Sequence, residues 1–167
     1  MVLSPDGGTM YLAENNKIRI INRSTAEVNA LIGNSVDNYQ EARTGTNARF
    51  SDVSSIDINS AGDTLYVTDR NNHRIRGITI STQTDFLITG AGNNNDDGQT
   101  ANGYQEGAKC LNTFTTGVSG CAYFDNPSGL VISPDDQYLY VADTANNRIR
   151  RVTIATGATS LIAGSGT

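Results

Sequence analysis

Tryptophan is absent from this chain, and histidine, cysteine and proline are scarce: one His, two Cys and three Pro in 167 residues. Each scarcity excludes something. A single imidazole, His73, cannot supply the several His ligands of a catalytic zinc site. A Ser-His-acid triad would need that same residue, and no recognisable nucleophile motif stands near it. Cys110 and Cys121 have no second Cys pair or His cluster beside them, so no metal site is expected. Basic residues are outnumbered 12 to 17 by acids, giving a formal charge of −5 and a pI near 4.7. A phosphate backbone needs a basic surface or stripe, so no nucleic-acid partner is expected. No apolar run approaches the roughly 20 residues of a membrane helix, so no membrane insertion is expected either. The first residues, Met1 to Asp6, have no basic region and no long apolar core and do not form a signal peptide. An export signal would lie upstream, in a longer protein.

What the chain does have is a repeat. Tyr140–Arg150 reads YVADTANNRIR, Tyr66–Arg76 reads YVTDRNNHRIR, and Tyr11–Arg19 reads YLAENNKIR, two residues shorter. The segment 48–90 aligns on 122–164 without a gap at an offset of 74, with 18 of 43 positions identical. Leu3-Ser4-Pro5-Asp6 matches Ile132-Ser133-Pro134-Asp135. Self-similarity at this scale marks a repeat architecture. Three units follow, near residues 1–33, 48–90 and 122–164, with an insertion at 91–121. Each unit reads as four short strands, in the third 129–133, 138–142, 148–154 and 160–163. Turn residues separate them: Pro134-Asp135-Asp136, Asn146-Asn147 and Thr156-Gly157. The second strand is apolar on both faces, Leu139 and Val141 on one and Tyr138 and Tyr140 on the other, so it must lie between two layers. Four-stranded antiparallel sheets covered on both faces by their neighbours are propeller blades. The expected fold is all-β, a propeller segment of three four-stranded antiparallel blades.

The turn Asn72-His73-Arg74-Ile75, set between Asp69 and Arg76, resembles an NHL repeat, as do the lead-in Phe124-Asp125-Asn126-Pro127-Ser128-Gly129 and the exit Leu161-Ile162-Ala163-Gly164. The resemblance covers nearly the whole chain except 91–121. It implies a propeller of about six blades, of which this chain would form half of a ring or part of a longer array. It also raises two family activities. RNA binding by NHL domains of the tripartite-motif type needs a continuous positive face with stacking aromatics; here Asp69, Asp96, Asp97 and Asp143 lie close to the arginines. Lyase relatives hold a channel zinc with several His. Asp57 is the one acid well placed for such a site, and further ligands would have to come from outside this chain.

The repeated acid and base, Asp69 with Arg74, Asp143 with Arg148, and Glu14 with Lys17, are expected to be structural clasps: a carboxylate taking turn N–H groups and a base across the strand pair. Strand parity puts the Asn-rich turns and the 91–121 insertion on one face, the upper one. Asn71, Asn72, His73, Asn146, Asn147 and Tyr104 are therefore the candidate binding residues. The run from Asn93 to Gly98 begins like a calcium loop, but its twelfth position is Tyr104 rather than a carboxylate. Cys110 and Cys121 form either a disulfide or two reduced thiols; a bridge would contribute roughly 2–3 kcal/mol and would place the protein in an oxidising compartment. Asn22-Arg23-Ser24 is a glycosylation sequon on the lower face.

Three blades do not close a ring, since propellers use four to eight. The outer faces of units one and three are expected to expose apolar residues, which large patches rarely do without a partner. Further blades, a second copy completing a ring, or copies stacking into a filament would cover them. The expected function is a non-enzymatic extracellular or cell-surface module for binding, adhesion or assembly. Its partner would be another protein or further copies of itself, and it would need no cofactor or metal.

Overall fold

The computed structural model describes residues 1–34, 36, 44–90, 104–107 and 122–165. The candidate disulfide Cys110–Cys121 and the Asn93–Gly98 run lie outside these residues. Among the described residues twelve strands form three four-stranded sheets. β1 (Val2–Leu3), β2 (Thr9–Glu14), β3 (Lys17–Asn22) and β4 (Val28–Gly33) make the first. β5 (Val53–Ile58), β6 (Thr64–Asp69), β7 (Arg74–Thr79) and β8 (Thr84–Thr89) make the second. β9 (Pro127–Ile132), β10 (Tyr138–Asp143), β11 (Arg148–Thr153) and β12 (Thr159–Ala163) make the third. Every neighbouring pair is antiparallel and consecutive in sequence. Short turns make this inevitable, because a two- to five-residue connection cannot cross a sheet.

The repeat extends to irregularities. The pairing of third and fourth strands shifts register at Ile18/Arg19, Ile75/Arg76 and Ile149/Arg150, corresponding positions in the three blades. The fourth strand then ends on Gly33 or just before Gly90 or Gly164, with φ of 92°, 102° and 98° at these glycines. A Cβ there would lie 2.5, 2.6 or 2.2 Å from the carbonyl oxygen of Asn16, His73 or Asn147. Only glycine tolerates both that backbone and that approach. The three contacts also fix Asn16, His73 and Asn147 as equivalent residues.

Two apolar clusters lie between the blades. Tyr11, Ile18, Leu31 and Ile32 of blade one meet Ile58, Leu65, Val67 and Ile78 of blade two. On its other side blade two packs Tyr66, Ile75 and Ile88 against Leu139, Val141 and Val152 of blade three. Leu65 and Val67 thus face backwards along the array and Tyr66 faces forwards, the division expected of a strand between two layers. Each long blade also sends a lead-in wedge into the gap before it, Ala48 with Phe50 and Ala122 with Phe124, all four side chains fully buried.

Candidate functional site

The repeated ionic residues form a clasp, but with a different arginine from the one the spacing indicates. Asp69 pairs with Arg76 at 2.8 Å, and Asp143 with Arg150 at 3.1 Å. In blade one Glu14 lies 2.5 Å from Arg19, the counterpart of Arg76, and only 3.8 Å from Lys17. The pairings Asp69–Arg74 and Asp143–Arg148 are therefore corrected. The carboxylates do lie opposite Arg74 and Arg148 in the ladder. However, Arg76 and Arg150 sit two residues further in on the same face, where the wedge holds them. Arg76 stacks 4.1 Å from the Phe50 ring centre and Arg150 4.4 Å from that of Phe124. Both donate to a wedge carbonyl, Arg49 at 2.5 Å and Tyr123 respectively. Arg74 and Arg148, at the strand mouths, donate to the carbonyls of Asn72 and Asn146 at 3.4 and 3.0 Å.

Each clasp carboxylate is closed by its own turn and wedge. Asp69 accepts from the backbone of Ser51 at 2.8 Å and the amide of Asn72 at 2.9 Å. Asp143 accepts from Asp125 N at 2.8 Å and Asn146 Nδ2 at 3.0 Å. Burial pushes both carboxyls up against the pull of their guanidinium partners, and pushes Arg150 down. The second acid of the blade-two clasp, Asp85, bonds Arg76. Blade three has Thr159 in its place. There the segment 104–107 runs along β12, bridging Gly107 to Thr159, and the Gln105 carbonyl accepts from Arg150 at 2.5 Å. Tyr104 stacks 3.7 Å from the Arg148 guanidinium and donates to Glu106 at 2.8 Å, which in turn accepts from Leu161 N at 2.7 Å.

A second device joins one blade to the next. His73 Nδ1 accepts the backbone N–H of Asn126 at 3.1 Å. Its equivalent Asn16 uses Oδ1 to accept the N–H of Asp52, the counterpart of Asn126, at 3.0 Å. His73 is thus an inter-blade staple, and burial holds its pKa below the ordinary histidine value of 6.5. At the inner strands Asp57 Oδ2 accepts from Ile132 N at 2.9 Å, and Ser55 Oγ from Leu130 N at 3.1 Å. At the lower loops Asp136 accepts from Ser60. Asp57, the acid placed for channel chemistry, thus stitches blades two and three together.

These contacts redraw the upper face. Asn72 and His73 are buried and belong to the clasp and the staple, so they are removed from the contact surface; Asn146 is half-buried on Asp143. Asn71, Asn147 and Tyr104 are exposed there. Asn22 is exposed at the end of β3, its side-chain oxygen accepting from Ser24 N at 2.9 Å and Thr25 N at 3.2 Å. Among the described residues no three His, Cys, Asp or Glu side chains converge on a point that could hold a metal ion. A shallow polar hollow over blade one is lined by Glu14, Asn15, Asn16, Lys17 and Asn34. The sequence reading assigned Phe124, Arg76 and Arg150 no part in the clasp and did not point to Phe50 or Asp85 at all. The Phe-to-Arg separation is 26 residues in both long units, and that common interval was the available signal.

The NHL repeat family model matches residues 50–83 and 124–152. Suppressor of Quenching 1, a chloroplastic protein of Arabidopsis thaliana, is 25% identical over 159 residues, 93% of this chain. NHL repeat-containing protein 2 of Bos taurus is 28% identical over 117 residues, 70% of this chain. This chain spans 14% of the length of each. An auxiliary nutrient binding protein from Bacteroides ovatus superposes with a TM-score of 0.67 at 19% identity, covering 97% of this chain and 37% of that one. That likeness concerns the fold. The matched segments contain the wedge phenylalanines Phe50 and Phe124, the clasp acids Asp69 and Asp143, and the buried arginines Arg76 and Arg150. With a third sheet in the same register, the chain is a β-propeller segment whose second and third blades match the NHL repeat.

Proposed function

We propose that this segment serves as a non-enzymatic protein-contact module of an extracellular or cell-surface protein, working in binding, adhesion or assembly. The observation that carries the reading is where the ionisable side chains go. In the two long blades the clasp acids, the buried arginines and the single histidine are engaged inside a blade or between blades. Of the candidate binding residues, Asn71, Asn147 and the Tyr104 ring backed by Arg148 remain exposed on the upper face. Such a surface recognises by shape, hydrogen bonds and aromatic contact, the means of a protein interface rather than of bond chemistry. The sequon at Asn22 and the Cys110/Cys121 pair support the extracellular part of the reading.

The test places photo-crosslinking residues at Asn71 and Asn147 and, as lower-face controls, at Asp6 and Asp135. The secreted chain is then exposed to extracellular proteins. Crosslinks to one discrete protein from the upper positions alone are expected. Capture from the lower positions only, or metal-dependent turnover of esters or amides by the purified chain, would overturn the proposal. Intact mass of the secreted chain checks the compartment: a glycan at Asn22 and a mass 2 Da below the reduced form are expected, and free thiols would contradict it.

A further inference from the structure

The forward face of blade three repeats two faces that are already covered. In blade one Tyr11, Ile18 and Leu31 point forward and are buried by blade two at 5, 0 and 4% exposure. In blade two Tyr66, Ile75 and Ile88 point forward and are buried by blade three at 6, 0 and 4%. In blade three the same positions hold Tyr140, Ile149 and Ile162, exposed by 37, 41 and 50%. The residue types are kept, and among the described residues only the cover is missing. The inner strand is informative as well. Blade two has Asp57 there, bonded to its neighbour, whereas blade three has Val131 and blade one has Val2. Val2 packs against the cluster between blades one and two. Blade three therefore presents the wholly apolar edge of blade one rather than the hydrogen-bonding edge of blade two.

The backward face of blade one supplies the match. Leu3, Met10, Leu12 and Ile21 share that side of the sheet, as the register of β1, β2 and β3 requires. They stand where Ile58, Leu65, Val67 and Ile78 receive blade one, and where Ile132, Leu139, Val141 and Val152 receive blade two. Leu3 is exposed, and Met10, Leu12 and Ile21 are partly so. One molecule thus carries both halves of the interface that it already forms twice internally.

We infer that the forward face of blade three (Val131, Tyr140, Ile149, Ile162) docks head to tail on the backward face of blade one (Leu3, Met10, Leu12, Ile21) of a second copy of this chain. The contact is heterologous, so copies either close on each other or propagate. The junction joins separate molecules, so it is concentration-dependent. The inference rests on the contact-module reading only in treating blade surfaces as interfaces, and it leaves the upper face free.

The experiment is light scattering and sedimentation of this chain over a hundredfold concentration range, with two charge variants, Ile149→Glu and Leu12→Lys. Mass should rise with concentration for the parent chain. Each variant alone should stay monomeric, with its dissociation constant raised at least tenfold and its circular dichroism unchanged. A one-to-one mixture should associate again, because an unaltered blade-three face then meets an unaltered blade-one face. A monomeric parent chain at every concentration would overturn the inference and leave a blade of a longer polypeptide as the cover. Loss of association with Ile149→Glu but not with Leu12→Lys would overturn it in favour of a face pairing with itself. Upper-face crosslinking that persists in a monomeric chain would sink this inference while sparing the contact-module reading.

Discussion

Arg148 and Arg150 differ by two positions in sequence and share the Tyr104 ring, but differ in burial and in ionic partner. Arg150 has a fully buried side chain, lies over Phe124 and pairs with the equally buried Asp143. Arg150→Ala would leave that carboxylate buried without its cation, a change that costs about 3–5 kcal/mol. Arg148 stacks on the exposed ring of Tyr104, a contact that contributes about 0.5–1 kcal/mol at such sites. Chemical denaturation should therefore rank Arg150→Ala well below Arg148→Ala; equal losses would restore the pairing read from the spacing. That pairing was the reasonable inference from a ladder, since Asp143 stands directly opposite Arg148. What moves the ion pair inward is Phe124, which arrives from 26 residues upstream, and no local pattern in YVADTANNRIR reports a non-local wedge. His73 shows the same limit. Its place in an Asn-rich turn was legible, and its φ of 54° matches the 51° of Asn147. That its Nδ1 accepts the N–H of Asn126 was not, because the partner belongs to the next blade. Desolvation lowers the folded pKa of His73, opposed by Asp125, Asp143 and Asp69 and reinforced by Arg74. The unfolded chain then binds more protons than the folded one below about pH 6.5. This contribution to stability is full above that pH and is lost as pH falls through the gap. His73→Asn, the residue at both equivalent positions, should keep the staple and flatten the pH 7 to 5 stability profile relative to the parent. An unchanged profile would mean that the histidine does not titrate in the staple.

The strand, the turn and the terminal glycine behave as one element, and most of that element could be read in advance. Alternation gave Leu139 and Val141 one side and Tyr140 the other, and the constant offset of 74 located the strands of both long blades to within about two residues. The glycine closing each blade was visible as part of the exit motif, but its reason is geometric. At Gly90 the fourth strand passes so near the turn that a Cβ would meet the His73 carbonyl at 2.6 Å. Gly45 also has positive φ, 54°, yet a Cβ there meets only the flexible end of Gln83, at 3.5 Å. A left-handed backbone by itself costs alanine about 1–2 kcal/mol. Gly45→Ala should stay within that range, and Gly90→Ala should exceed it, because backbone must also move. Thermal unfolding of the two variants decides; the same loss in both would show that the close approach relaxes without cost.

At the scale of the molecule, stability should be graded along the array rather than uniform. In repeat architectures each unit contacts only its neighbours, so its stability is set by how many of its faces are covered. Blade two is covered on both: β6 is buried along nearly all its length, and β7 likewise. Blades one and three each have one bare face, where Tyr140, Ile149 and Ile162 meet solvent at one end and Leu3 at the other. Local opening draws on regions with few buried apolar contacts. Amide hydrogen exchange of the dilute chain should therefore find β6 and β7 slowest, with β2, β3, β10 and β11 faster although the β2–β3 and β10–β11 ladders have the same six pairs as β6–β7. Slower exchange in an end blade than in blade two would contradict the view that face cover governs blade stability. The same experiment at high concentration ties this gradient to head-to-tail docking. If Tyr140 and Ile149 receive Met10 and Leu12 of another copy, protection should rise in β10 and β11 and in β2 and β3 together, while β6 and β7 change least. Protection rising at one end alone would fit a face that pairs with itself. A heterologous junction must bury two different blades at once, and only a gain at both ends is consistent with it.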